Sequence, residues 1–178
     1  MSDEYGRGGD RGGDRGGYRG GHRGTPLSDL DPALTEISRR VIGCAIEVHK
    51  GLGPGYGRDV YVTALRQELD ANDIGYAIDE AFDVEYDDKK VGQTTADMYV
   101  GDRFLLMLLA RPGEIGSYER SQLRAQLRAA DLELGLVINF AERRLKDGLV
   151  RVLNPDKLNA MRDAEEGHSG VHDEDDGE

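Results

Sequence analysis

Phe104-Leu105-Leu106-Met107-Leu108-Leu109-Ala110 is an uncharged run set between the turn pair Gly101-Asp102 and the break Arg111-Pro112-Gly113. A strand alternates its side chains, so Phe104, Leu106 and Leu108 share one face while Leu105, Met107 and Leu109 share the other. Both faces are apolar. A short strand of this kind lies between two covering layers, at the centre of a sheet rather than on its exposed side.

The flanking sequence supplies the layers. Upstream, Tyr76-Ala77-Ile78 leads into a strand over about Ala81 to Tyr86, where Phe82, Val84 and Tyr86 alternate with acids. Asp87-Asp88-Lys89-Lys90 reads as a hairpin turn into a second strand, Val91 to Val100. Downstream, a helix is expected over Tyr118 to Ala130, a buried strand over Leu132 to Phe140 and an edge strand over Leu149 to Leu153. Near the start of the domain, Asp31-Pro32 has the form of an N-cap followed by proline at the first helical position. Leu34, Ile37, Val41, Ile42, Ala45, Ile46 and His49 then recur at helical spacing as far as Gly51. After the Gly53-Pro54-Gly55 turn, a second helix runs from about Arg58 to Asn72, burying Val60, Tyr61, Ala64, Leu65 and Leu69. The order ααβββαβ(β) describes an α/β (α+β) domain, a central mixed sheet flanked by helices.

Composition divides the chain into an arm, residues 1–26, a domain, residues 27–158, and a tail, residues 159–178. The arm repeats Arg-Gly-Gly from Arg7, Arg11, Arg15 and Arg19, with Tyr18, His22 and Arg23 interleaved. Glycine at this density does not recover the entropy of a fixed fold, so the arm is expected to be disordered. Two readings of it stand level. It binds RNA or DNA through Arg7, Arg11, Arg15, Arg19, Arg23 and Tyr18, by phosphate contact and stacking, or it is a flexible solubilising or self-associating segment. The tail is acidic and unpatterned, and it too is expected to be disordered; His168 and His172 read as solvated tail residues. The whole chain carries a net charge of −12, of which residues 1–26 hold +1 and residues 162–178 hold −7, leaving −6 on the middle. A domain of that sign repels phosphate backbones in bulk.

A single cysteine, Cys44, rules out an intrachain disulfide and suits a cytoplasmic setting; its apolar helical surroundings mark it as a core residue. No apolar run approaches the ~20 residues of a membrane-spanning helix, so no membrane partner is expected.

The stretch Val41-Ile42-Gly43-Cys44-Ala45-Ile46-Glu47-Val48-His49-Lys50, the turn Leu52-Gly53-Pro54-Gly55 and the pairs Val60-Tyr61 and Ala64-Leu65 carry a recognisable order. Ala96-Asp97-Met98, Ser121-Gln122-Leu123 and Leu132-Glu133-Leu134-Gly135-Leu136-Val137-Ile138-Asn139-Phe140 continue it. Together they resemble the GxxExxY family, a branch of the PD-(D/E)XK nuclease-like superfamily, over roughly Leu34 to Val152. The resemblance implies a restriction-endonuclease-like core. It also implies a damaged catalytic set. The family glutamate falls on Arg58, reversing the charge, and the glutamate-x-lysine pair falls on Met107 and Leu109. The strand aspartate is kept as Asp97 and the helix glutamine as Gln122.

Mg²⁺ needs hard oxygen ligands, and phosphoryl chemistry also needs a base and a neutralising cation. Met107 and Leu109 supply neither. Asp97 is therefore expected to bond nearby backbone or to pair with Arg58, the arginine standing where the metal would be. Asp59 and Glu114 are poor replacements, the first rotated about 100° along the helix from Arg58 and the second in a loop. His49 reads as a helix-end or packing residue, and Tyr61 as a packed ring with its hydroxyl bonded. The function expected is a catalytically inactive nuclease-like domain serving as a binding or structural, self-assembling module, with no catalytic residue and no cofactor. Two alternatives stand beside it: a DNA nuclease with migrated ligands, in which Asp97 would hold Mg²⁺, and an RNA-binding protein acting through its arm. A homo-oligomer is among the partners this reading allows.

Overall fold

The computed structural model describes residues 30–168, with side chains through residue 164. The arginine-rich arm and the end of the acidic tail, His172 included, lie outside the described residues.

Helix α1 spans Pro32–Leu52 and α2 spans Arg58–Ala71. The Asp31 carboxylate accepts from the Ala33 amide at 2.9 Å, and proline opens the helix where its missing N–H costs nothing. Gly53, at φ 68°, closes α1 with its amide on the His49 carbonyl. Strands β1, Tyr76–Tyr86, and β2, Lys89–Val100, form a long hairpin, followed by β3, Phe104–Leu109, and α3, Ser117–Ala129. Strand β4, Leu134–Asn139, a 3₁₀ turn at Leu145–Gly148, β5, Leu149–Leu153, and α4, Pro155–His168, complete the chain.

The five strands lie in the order β1-β2-β3-β4-β5. Only β3 and β4 are parallel, in register from Phe104↔Leu134 to Leu109↔Asn139, and α3 is the crossover that a parallel pair requires. The sheet is thus mixed and the domain α/β, as the pattern of apolar runs predicts. Five of the six β3 residues and all six β4 residues are buried. On one face Phe104, Leu106 and Leu108 pack with Val41, Tyr61 and Leu65 of α1 and α2. On the other, Leu105 and Met107 pack with Leu123 and Leu127 of α3. Gly135 of β4 admits this closeness, since a Cβ there would meet Leu123 at 2.8 Å.

Some boundaries differ from the sequence reading. Strand β1 runs unbroken from Tyr76, and Lys89 and Lys90 belong to β2, because Asp87 and Asp88 both adopt positive φ, 48° and 56°, and turn the hairpin in two residues. The stretch from Asn159, expected to be disordered, is instead helical as far as His168. Pro155 starts that helix, Leu158 is buried, and Lys157 pairs with Asp131 at 2.5 Å, so the tail's first turns are tied to the domain.

Candidate functional site: an arginine bridge where two strands part

Strands β2 and β3 pair only through Met98↔Leu106, Tyr99↔Leu105 and Val100↔Phe104. Beyond Leu106 they separate. The cause lies in β2 and its partner β1, whose ladder steps from Ile78↔Met98 to Glu80↔Ala96, passing over Asp79 and Asp97. Asp79 holds φ at 52° inside the strand. Strict alternation would put Ala96, Met98 and Val100 on one face, yet Ala96 joins Tyr99 in the α3-side core while Met98 and Val100 enter the other. The strand therefore rotates at Asp97, and its carboxylate turns into the gap.

There Asp97 Oδ2 accepts from the Leu108 amide at 2.7 Å, doing the work of a backbone carbonyl. Arg58, the first residue of α2, reaches over from the opposite layer. Its Nε donates to the Leu108 carbonyl at 2.8 Å, and its Nη2 meets Asp97 Oδ1 at 2.9 Å. Both polar backbone groups of Leu108 are thus satisfied by side chains, and those side chains satisfy each other. Leaving such groups unpaired in a half-buried notch would cost about 1–3 kcal/mol apiece.

The notch opens into a cleft of about 330 Å³ whose floor includes Met107, Leu108 and Leu109. One face of α3 walls it with Tyr118, Gln122 and Gln126, four residues apart. Gln126 is buried, its Nε2 donating to the Thr95 carbonyl at 2.8 Å, while its Oε1 has no partner among the described residues. Arg111, at the cleft's end, pairs with Glu119, whose other oxygen accepts from the Gly116 amide at 2.9 Å at the start of α3. Its own amide first, then Gly116 and Arg111, hold the Glu119 carboxyl below its ordinary range. The loop carrying Arg111 is fastened by Asn139. That fully buried side chain donates to the Arg111 and Gly113 carbonyls and accepts from the Arg111 and Ala141 amides.

The residues singled out by sequence mostly meet here: Arg58, Asp97, Met107, Leu109 and Gln122 line one cleft. Others do not. The Asp59 side chain is fully exposed, 4.0 Å from Arg58, and Glu114 is exposed in its loop. His49 Nε2 bonds the Glu142 carbonyl at 2.8 Å, tying the end of α1 to the segment after β4. Tyr61 is buried, stacked on Phe140 at 4.7 Å, with its hydroxyl donating to the Gly53 carbonyl at 2.7 Å. Cys44 is a buried free thiol, raised above its ordinary pKa by burial first. Sequence reading missed Gln126, Arg111, Glu119 and Asn139. Gln126 had a signal, lying one turn beyond Gln122 on the same helical face; the others act through a loop whose path the sequence does not give.

The divalent metal that the family resemblance implies can be tested against these donors. Mg²⁺ takes oxygen ligands in octahedral array. At the notch the carboxylate is Asp97, both of whose oxygens are engaged; Glu119, the second carboxylate on the cleft, is taken by Arg111 and the Gly116 amide, and the side chains beside Asp97 are a guanidinium, a thioether and a hydrocarbon. Among the described residues no group of three or more His, Cys, Asp or Glu side chains is arranged to hold a metal. These residues do not fit the ion. No helix among them is long and apolar enough to cross a membrane.

No curated protein and no solved structure matches the chain. A family model does, that of the PD-(D/E)XK nuclease superfamily, over residues 35–152. Because the match begins within α1 and ends within β5, it takes in every element that builds the cleft, and the chain belongs to the PD-(D/E)XK nuclease superfamily.

Proposed function

We propose that this domain, with the sequence traits of the GxxExxY branch, is a catalytically inactive nuclease-like module that binds rather than cuts, and that Arg58 stands in for the catalytic cation. The observation that carries the reading is the arginine bridge from α2 to Asp97 and Leu108. A divalent ion at Asp97 would have to displace this guanidinium or share one carboxylate with it, and like charges held that close in a partly desolvated notch repel strongly. Met107 and Leu109 add no base and no ammonium, so the groups that stabilise a phosphoryl transition state are missing from the positions that would bear them.

The test is incubation of the purified full-length chain with DNA and Mg²⁺ or Mn²⁺ at high protein concentration. Intact DNA is the expected result; metal-dependent cleavage that Asp97→Ala removes would overturn it in favour of a DNA nuclease with migrated ligands. Binding of Mn²⁺ gives an independent check, since Arg58→Glu should acquire an affinity that the unaltered protein lacks.

The arm supports a second role. Four Arg-Gly-Gly repeats and Tyr18 suit contact with RNA or DNA through phosphates and bases in a cytoplasmic protein. Removal of residues 1–26 should then abolish RNA retention, and unchanged affinity in the truncated chain would exclude the arm as the binding element.

A further inference from the structure

We infer that the cleft between β2, β3 and α3 is a seat for a small organic monocarboxylate that also carries an N–H donor. The inference rests on the non-hydrolytic reading, because a bound metal would claim the same ground.

Three features of the cleft point to that chemistry. The first is the Gln126 carbonyl. The residue is 4% exposed, and its amide orientation is fixed by the Thr95 carbonyl, since the flipped form would set two acceptors against each other. Oε1 is left as a buried acceptor without a partner among the described residues. Folded proteins leave few such atoms; Gln126 stands in the cleft wall with Oε1 covered, and a small turn of the side chain would offer that acceptor to a ligand N–H. The second is Arg58. With Nε on Leu108 and Nη2 on Asp97, Nη1 has only the fully exposed Asp59, 4.0 Å away, so one edge of the guanidinium remains for an anion.

The third feature is balance. Arg58 is matched by Asp97 and Arg111 by Glu119, so the cleft carries guanidinium donors without excess positive charge. A phosphate dianion or a nucleic-acid backbone gains little there and is repelled by the acidic domain around it. A monoanion can accept from Arg58 without that penalty. Met107 and Leu109 on the floor, and Tyr118, 74% exposed at the rim, offer an apolar body a surface to cover within about 330 Å³. The position is also the usual one for ligands, outside the carboxyl end of a strand in a parallel pair.

N-acetyl-leucine supplies all three elements and serves as the probe, titrated into the full-length protein in the presence of EDTA while amide resonances are followed. The expected result is a saturable shift of the Gln126 side-chain amide and of Leu108 and Leu109. N-acetyl-leucinamide, lacking the charge, should bind about tenfold more weakly, and Gln126→Met should weaken N-acetyl-leucine by a similar factor. Tyr118→Ala, at an exposed position that leaves the core intact, should weaken it by about threefold. Absence of saturable shifts in the cleft, equal binding of the amide, or equal competition by inorganic phosphate would overturn the assignment. The two readings separate cleanly. Failure of N-acetyl-leucine with DNA still uncut removes the ligand and leaves the non-hydrolytic domain, whereas metal-dependent cutting brings down both.

Discussion

From Phe104 to Leu106, β3 has a strand on each side, Val100 to Met98 across one edge and Leu134 to Leu136 across the other. From Met107 to Leu109 only the β4 edge is paired, and Asp97 and Arg58 take the place of the missing strand at Leu108. The first half is fastened by groups that every residue carries. The second is fastened by two particular side chains, which leave a cleft beside them. A backbone ladder is indifferent to side-chain chemistry, so the paired half is free to be all core. The splayed half is where one substitution changes both what holds the sheet and what the cleft can accept.

The largest effect is expected of Leu106→Ala, in the paired half. Leu106 is fully buried against the α1 and α2 side, and its removal leaves a cavity between rigid layers. A loss of about 2–5 kcal/mol is expected in chemical denaturation. A loss of less than about 1 kcal/mol would mean that the paired half is no firmer than the splayed half.

How much of this was legible in the sequence follows the same division. The apolar alternation of β3 and the helical spacing of α1 and α2 announced the layers, because burial writes itself into residue type at a fixed period. Arg58 facing Asp97 was legible too, through a charge reversal at a recognisable position. The arrangement around it was not. Nothing in Asp79 or Asp97 reveals that both strands break alternation there, since aspartate is common in turns and tolerates positive φ in many settings. The role of Asn139 was hidden for another reason: its partners, at Arg111 and Gly113, are backbone groups of a loop. The helical start of the tail was masked by its acidity, though Pro155 and Leu158 carried the signal.

In the splayed half, Arg58→Ala should cost about 1–3 kcal/mol, mainly by stranding the Leu108 carbonyl and the Asp97 carboxylate. The ion pair itself contributes less. Arg58 is 41% exposed and water screens it, so a double-mutant cycle with Asp97→Asn should return a coupling of about 1 kcal/mol or below. Arg58→Lys separates the two effects, because an ammonium keeps the charge but cannot hold carbonyl and carboxylate in one planar fork. If Lys restored full stability, charge alone would be holding the notch.

The kink that creates the notch can be probed at Asp79. Glycine adopts positive φ without strain, whereas a β-branched residue does not, so Asp79→Val should be about 1–2 kcal/mol less stable than Asp79→Gly. Equal stability of the two would show that β1 can relax to regular alternation without disturbing Asp97. The amide exchange rate of Leu108, protected by Asp97, reports that relaxation directly.

The smallest effect expected is at the far wall of the cleft, where Glu119 accepts from the Gly116 amide and pairs with Arg111. Its carboxyl is held below the ordinary 4.5, so the unfolded chain takes up this proton at a higher pH than the folded one. The stabilisation is therefore fully present above the ordinary value and is lost as pH falls through the lower folded one. Glu119→Gln should flatten that part of the acid limb in a series of melting curves while leaving the neutral-pH curve nearly in place. An unchanged acid limb would mean that the start of α3 is secured by the packing of Leu123 and Leu127 alone, as the paired half of β3 is by its ladders, and that charge matters on this cleft only at Arg58.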